Sequence, residues 1–191
     1  ELDGVAFPSA EILLDFVDPG DDSAGSVFPS GSVLDKLEVP GHGEYQVTLI
    51  NSGIPTVFLY AQDLGYSGTE LQDDINSDLK ALKKFENIRK KASLAMGLAS
   101  DQNAAAELQH TPKIAMVSGP KEYISSSGKK IGMHDVDVTV RALSMGKLHH
   151  AMMGTAAVAI ASAAAIPGTV VSECLAGGPK SELTFGHPSG I

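Results

Sequence analysis

The sequence predicts an α+β fold: a bent, mostly antiparallel sheet wrapped around a central apolar helix. Three observations predict it. Short runs of β-forming residues recur through the chain between Pro- and Gly-containing turns. One segment, Leu79 to Met96, has apolar residues at helical spacing on a single face. A second helical segment, Gly154 to Ile166, is apolar all round, and such a helix must be surrounded by protein. With strands before and after it, the simplest enclosure is a sheet that curves around it. Its Ala content lets those strands approach closely.

Val5 to Val17 reads as extended, with "AEILLDFVDP" closing on a Pro-Gly turn. "PGDDSAGSVFPSGS" is loop chemistry. Two strands, Tyr45 to Ile50 and Thr56 to Tyr60, flank the turn "NSGIP". In "NSDLKALKKFENIRKKASLAMG", Leu79, Leu82, Phe85, Ile88, Ala92 and Met96 form an inner face, with Lys and Arg outside. Asn76 or Ser77 is the expected cap, and Gly97 the expected stop. "TPKIAMVSGP" reads as a strand running into a turn, and "SSSGKK" as an exposed loop. In "HDVDVTVRALSMG", Val136, Val138, Val140 and Ala142 alternate with Asp135, Asp137, Thr139 and Arg141, as in a half-buried strand. After the apolar helix, which Pro167-Gly168 ends, "GTVVSECL" and "SELTFG" read as two more strands. No repeat or linker interrupts the chain, so residues 1–191 are read as one domain.

The 191 residues are enough for one core, and 43% of them are hydrophobic. A net charge of -9 argues against nucleic acid or an anionic membrane surface as partner. The run Ala156 to Ile166 is shorter than the ~20 residues that span a bilayer. The single cysteine, Cys174, excludes an internal disulfide and suits a reducing compartment, as does the lack of an opening signal peptide; a cytoplasmic location is expected. Cys174 itself reads as a buried, inert thiol.

A buried helix leaves backbone N–H groups without acceptors in its first turn, and its dipole favours negative charge there. Either Thr155 caps the helix, or a carboxylate or phosphate rests on Gly154, Thr155 and Ala156. Ser144, Met145 and Gly146 end a strand aimed at this mouth. His149 and His150 are adjacent and point apart, so at most one of them faces the mouth. His149 is the candidate for substrate contact or proton transfer, since imidazole titrates near pH ~6.5. Lys147 reads as solvated. His42, His110 and His134 have no partners at metal-ligand spacing, so no metal site is expected.

"SMGKLHHAMMGTAAVAIASAAAIPGT", "LINSGIPTVFL", "DLGYSGTE" and "FGHPSG" together resemble the PrpF family over nearly the whole chain. The resemblance implies cofactor-independent isomerases of small unsaturated di- and tricarboxylates, 2-methylaconitate among them. It also implies a diaminopimelate epimerase-like fold of two similar halves, each a bent sheet around an apolar helix, with the active site between them. Members are about twice this long, so the chain is expected to be most of the second half, with the first half and the extreme C-terminal tail absent. The implied chemistry is removal of an allylic proton beside a carboxylate-bearing double bond, then reprotonation. The implied base, a Lys, and a reactive Cys belong to the other half.

In the epimerase pattern a catalytic Cys precedes the second-half helix; Met153 stands there, so two-thiol racemisation is not expected. A substrate clamp fits better. Where that pattern has an Asn in a strand-end "GNP", this chain has Ile54, leaving backbone N–H groups at Ser52 and Gly53 as contacts. His187 and Ser189 in "GHPSG" are implied cleft residues. The isolated chain is expected to be inactive, and its uncovered edge leaves homo-oligomerisation open. The alternative is a non-catalytic carboxylate-binding or accessory module for a partner dehydratase.

Overall fold

The structure is a computed structural model that describes residues 26–191, together with residues 3, 7, 10, 13–17 and 19. Its main sheet has seven strands: β1 (Asp35–Val39), β2 (Gly43–Ser52), β3 (Ile54–Tyr60), β4 (Lys113–Ser118), β7 (Val138–Ser144), β8 (Lys147–Leu148) and β9 (Phe185–Gly186). The order is β1-β2-β3-β4-β7-β8, and β9 also pairs with β7. Four of its pairings are antiparallel, while β3–β4 and β7–β9 are parallel. The sheet is therefore mixed. β5 (Tyr123–Ile124) and β6 (Lys130–Ile131) form a separate hairpin around the "SSSGKK" loop.

Strand alternation divides the core in two. Val57, Leu59, Ile114, Met116 and Leu143 face α2 (Leu79–Ala95), which buries Phe85, Ile88 and Ala92 against them. Ile50, Phe58, Ala115, Val117, Val140 and Ala142 face the opposite way, toward α4 (Gly154–Ala165) and α5 (Val170–Glu173). A sheet covered on both faces buries both sets of alternating side chains. This corrects the expectation of a half-buried β7: Thr139 and Arg141 are both 0% exposed.

Five further expectations change. The cap of α2 is Asp78, whose Oδ1 accepts from the N–H groups of Lys80 and Ala81, because Asn76 is consumed in the short helix α1 (Gln72–Asn76). Leu79 is exposed, and Arg89, assigned to the outer face, is buried. "GTVVSECL" is α5, not a strand: the Thr169 hydroxyl caps it by accepting from Ser172 N–H, and that local bond outweighs the β-propensity of two valines. In "SELTFG" only Phe185–Gly186 pairs. Of the extended stretch expected at 5–17, residues 7, 10 and 13–17 are described, form no strand and are exposed; the other positions lie outside the described residues.

The apolar helix forms as predicted, yet in this chain it is not enclosed. Ala156, Ala159, Ile160, Ala163 and Ala164 are buried on β2 and β3, while Gly154, Thr155, Ala161 and Ala165 are exposed along the opposite flank. Burying Ile160 contributes roughly 1.5–3 kcal/mol, and the alanines contribute mainly by allowing close approach. α3 (Gln102–Glu107) packs beside α2. Among the described residues no helix is long and apolar enough to cross a membrane.

Candidate functional site at the start of the apolar helix

α4 runs antiparallel to β2. Its first turn lies on the β2–β3 turn, where a Cβ on Gly53 would come 2.6 Å from the Thr155 carbonyl oxygen and 2.7 Å from Val158 Cβ. Gly53 also has φ +70°, so only glycine fits without strain. Deeper along the pair, the Ser52 and Ser162 hydroxyls are 2.8 Å apart. Ser52 is thus buried and bonded to the helix, and the Gly53 N–H already donates to the Pro19 carbonyl at 2.9 Å. The Gly53 N–H, one of the two expected backbone contacts, is therefore already engaged.

The start of α4 has no side-chain cap. Its N-cap is Met153, whose thioether accepts nothing, and Thr155 does not play that role. Three of the other helices are capped by side chains, Asp78 on α2, Asp101 on α3 and Thr169 on α5, while the short α1 starts at Leu71 without one. Gly154 and Thr155 are exposed, so the first-turn N–H groups open outward.

Beside this turn lies a cavity of about 430 Å³, lined in part by Asp3, Ala151, Met152, Ala157, Phe185 and His187; the Asp3 carboxylate accepts from Lys129 Nζ and from the Ile191 N–H. Its volume falls in the usual range for a small-molecule site. His187 and Ser189 are both buried. His187 Nδ1 accepts from the Ser189 N–H at 3.3 Å and lies 3.1 Å from its hydroxyl, which leaves Nε2 to carry the proton of the neutral ring. Burial is the main cause of a lowered His187 pKa, and nearby Arg141 and His150 add to it. The imidazole is held neutral, able to donate from Nε2.

The His187 loop is fixed from behind. The Tyr123 hydroxyl donates to the carbonyls of His187 and Gly190, at 2.9 and 2.6 Å. The guanidinium of Arg141 stacks on the Tyr123 ring, 4.7 Å from its centroid. Arg141 also donates to the Gly186 carbonyl at 3.3 Å and, through Nε, to the Glu70 carbonyl at 2.6 Å. Burial lowers its pKa to about 10, while Tyr123 and Glu70 pull the other way. "DLGYSGTE" and "FGHPSG", distant in sequence, meet on this one side chain.

The other expected site residues separate. Met145, at φ +50°, lies in the β7–β8 turn beside Phe85 and Arg89, on the α2 side rather than at the mouth of α4. Its neighbour Ser144 alternates to the α4 face and accepts a 2.6 Å hydrogen bond from Lys113 Nζ. His149 and His150 are both exposed, and His149 Nδ1 lies 2.7 Å from the Ala151 carbonyl. Cys174 ends α5, where burial and then Glu173 push its thiol up to about 11, well away from a reactive thiolate. No cluster of three metal-ligating side chains occurs among the described residues.

Sequence reasoning missed Lys113, Arg141 and Tyr123. Lys113 carried a signal, as the one charge in the strand "KIAMV".

This architecture is that of a solved methylitaconate-delta-isomerase, to which the chain is similar with a TM-score of 0.92 at 35% identity, over 100% of this chain and 50% of that one. The chain belongs to the PrpF protein family, whose model matches residues 1–191. It is 61% identical over 193 residues to 2-methyl-aconitate isomerase of Shewanella oneidensis, covering 100% of this chain and 49% of that protein. It is 36% identical over 194 residues to 3-methylitaconate isomerase of Eubacterium barkeri, covering 100% and 51%. The chain thus spans about half the length of the curated relatives it matches.

Proposed function

We propose that this chain is the second half of a two-half, cofactor-independent isomerase that moves an allylic proton or isomerises a double bond in an unsaturated di- or tricarboxylate such as methylaconitate. The observation that carries this reading is the uncapped start of α4 opening beside a cavity that also holds His187. The names of the relatives support the substrate class. In this reading the remainder of the protein covers the exposed flank of α4, making the helix central, and supplies the main base.

A carboxylate of the substrate rests on the N–H groups of Gly154, Thr155 and Ala156. Removing the allylic proton delocalises charge onto that carboxylate, where the helix dipole favours it by roughly 0.3–1 kcal/mol, or up to ~2 kcal/mol when partly buried. The cavity wall holds the carbon chain in line for proton transfer. Neutral His187 donates a hydrogen bond from Nε2 into the cavity. A cytoplasmic setting is consistent with one unpaired cysteine.

The test is solvent deuterium uptake by methylaconitate and trans-aconitate in the presence of the full-length protein, followed by NMR. Exchange at an allylic carbon is expected. Absence of exchange across both substrates would overturn the isomerase reading and favour a binding module. The isolated 191-residue chain is expected to catalyse no exchange, and turnover by it alone would refute the assignment of the base to the other half.

A further inference from the structure

Lys113 opens β4 on the face that carries α4. It is only 8% exposed, and its ammonium makes a single bond, to the Ser144 hydroxyl at 2.6 Å. None of the ion pairs among the described residues includes it. An ammonium has three N–H donors, so two are unmatched in a place where an uncompensated charge is costly. Burial lowers the Lys113 pKa, and no carboxylate among the described residues offsets it.

The other buried cations are better matched, Arg89 most of all. Arg89 makes five hydrogen bonds, two to the Glu86 carboxylate and three to backbone carbonyls. Arg141 has three carbonyls and an aromatic ring, with only its Nη2 finding no acceptor among the described residues. Lys113 has one neutral hydroxyl.

Its place in the sheet says where a partner would come from. Thr56 pairs with Lys113 across β3–β4, and Leu143 pairs with Ile114 across β4–β7, so Lys113 and Ser144 lie side by side. On the β3 side, three residues before Thr56, Gly53 touches Thr155 in the first turn of α4. On the β7 side, β9 leads into His187, which lines the cavity with Ala157. The Lys113–Ser144 pair therefore sits, in strand order, between the two elements that flank the start of α4. Adjacent strands are about 4.8 Å apart and residues about 3.3 Å apart along a strand, so the Lys113 backbone lies roughly 11 Å from Gly53, a gap that the lysine side chain and a small polycarboxylate together bridge. Ser144 is half-buried and forms the outer side of the pair.

We infer that Lys113 and Ser144 form a second carboxylate subsite on the α4 face, so that the ligand carries at least two carboxylates, one at the start of α4 and one at Lys113. This rests on the reading that the first turn of α4 takes a carboxylate. Lys113 supplies the charge, and the Ser144 hydroxyl, accepting from Lys113, donates its own proton to the same carboxylate. The pair selects dicarboxylates and tricarboxylates over monocarboxylates.

The experiment is calorimetric titration of the full-length protein and its Lys113→Met variant with tricarballylate and with crotonate, which has a single carboxylate. Lys113→Met is expected to weaken tricarballylate about thirtyfold, the ratio for one lost charge-assisted bond, and to leave crotonate unchanged. Equal tricarballylate affinity in both proteins overturns the subsite while the α4 reading stands. Equal loss of both ligands by a folded variant also overturns it. Wild-type protein that binds neither ligand overturns the α4 reading and the subsite together. Should Lys113→Met fail to fold, Ser144→Ala with a 13C signal on the lysine Cε takes its place. A Lys113 shift on adding tricarballylate but not crotonate, with affinity lowered severalfold in Ser144→Ala, supports the subsite, and no such shift overturns it.

Discussion

The two faces of the sheet bury similar apolar side chains and treat charge in opposite ways. On the α2 face, the helix is capped by Asp78 and the buried Arg89 is matched bond for bond by Glu86 and three carbonyls. On the α4 face, the helix starts without a cap, Lys113 has one hydroxyl for company, and a cavity of about 430 Å³ lies alongside. We read the difference as separating scaffold from candidate site. A fold closes its own electrostatics wherever it can, and donors left toward open space, with no carboxylate among the described residues bonded to them, are where the proposed guest would be held.

The strongest way to break this comparison is to remove Arg89. Arg89→Met strands the Glu86 carboxylate and the carbonyls of Ala105, Leu108 and Thr111, at a cost of about 3–5 kcal/mol. Thermal unfolding is expected to show Tm lower by on the order of 10 °C. An unchanged Tm would mean that the α2 face is not held by that network.

Next in size is Gly53→Ala. The new Cβ meets the Thr155 carbonyl and Val158 in a left-handed backbone, costing about 2–3 kcal/mol. Denaturant unfolding measures the loss. A cost near that of an ordinary surface substitution would show that α4 can lift off the turn freely.

The sharpest contrast is Lys113→Met without ligand. Its folded pKa is lowered from 10.5, so folding disfavours the charged form at every pH below 10.5, neutral pH included. Removing the charge is expected to raise Tm by about 2–4 °C, where the same change at Arg89 lowers it. A fall in Tm would place Lys113 with the scaffold.

The smallest effect concerns pH. His187 has a folded pKa below its unfolded value of 6.5, so the unfolded chain binds the extra proton first. Its contribution to stability is complete above pH 6.5 and is lost as pH falls through the lowered folded value. Asp3 and Asp137, both lowered mainly by bonds to lysines, act in a separate window below pH 3.8. His187→Asn is expected to flatten the stability profile just below pH 6.5 and leave the acid limb unchanged. A profile identical to wild type would remove the buried neutral imidazole from the account.

Much of the scaffold was legible because it repeats locally. α2 announces itself by spacing, α4 by an apolar run between Gly154 and Pro167, and β2 and β3 by their shared turn. α5 was misread because its fate rests on one hydroxyl, Thr169, against the propensity of Val170 and Val171. Coverage of both sheet faces, and with it the burial of Thr139 and Arg141, is a tertiary fact that alternation along β7 alone does not contain. For the site, the start of α4 and His187 could be named from motifs. Lys113 could not, because its meaning depends on register with Ser144, 31 residues away. Met145 was placed wrongly for a related reason: a two-residue turn reverses the chain and carries it to the α2 side.

The most direct test of the claim that the start of α4 receives a carboxylate is an amide-resolved NMR titration of the full-length protein with tricarballylate. The account predicts saturable downfield shifts at the N–H groups of Gly154, Thr155 and Ala156, while those of Lys80 and Ala81, already bonded to Asp78, stay still. Saturation of binding by calorimetry with no movement at residues 154–156 would contradict it.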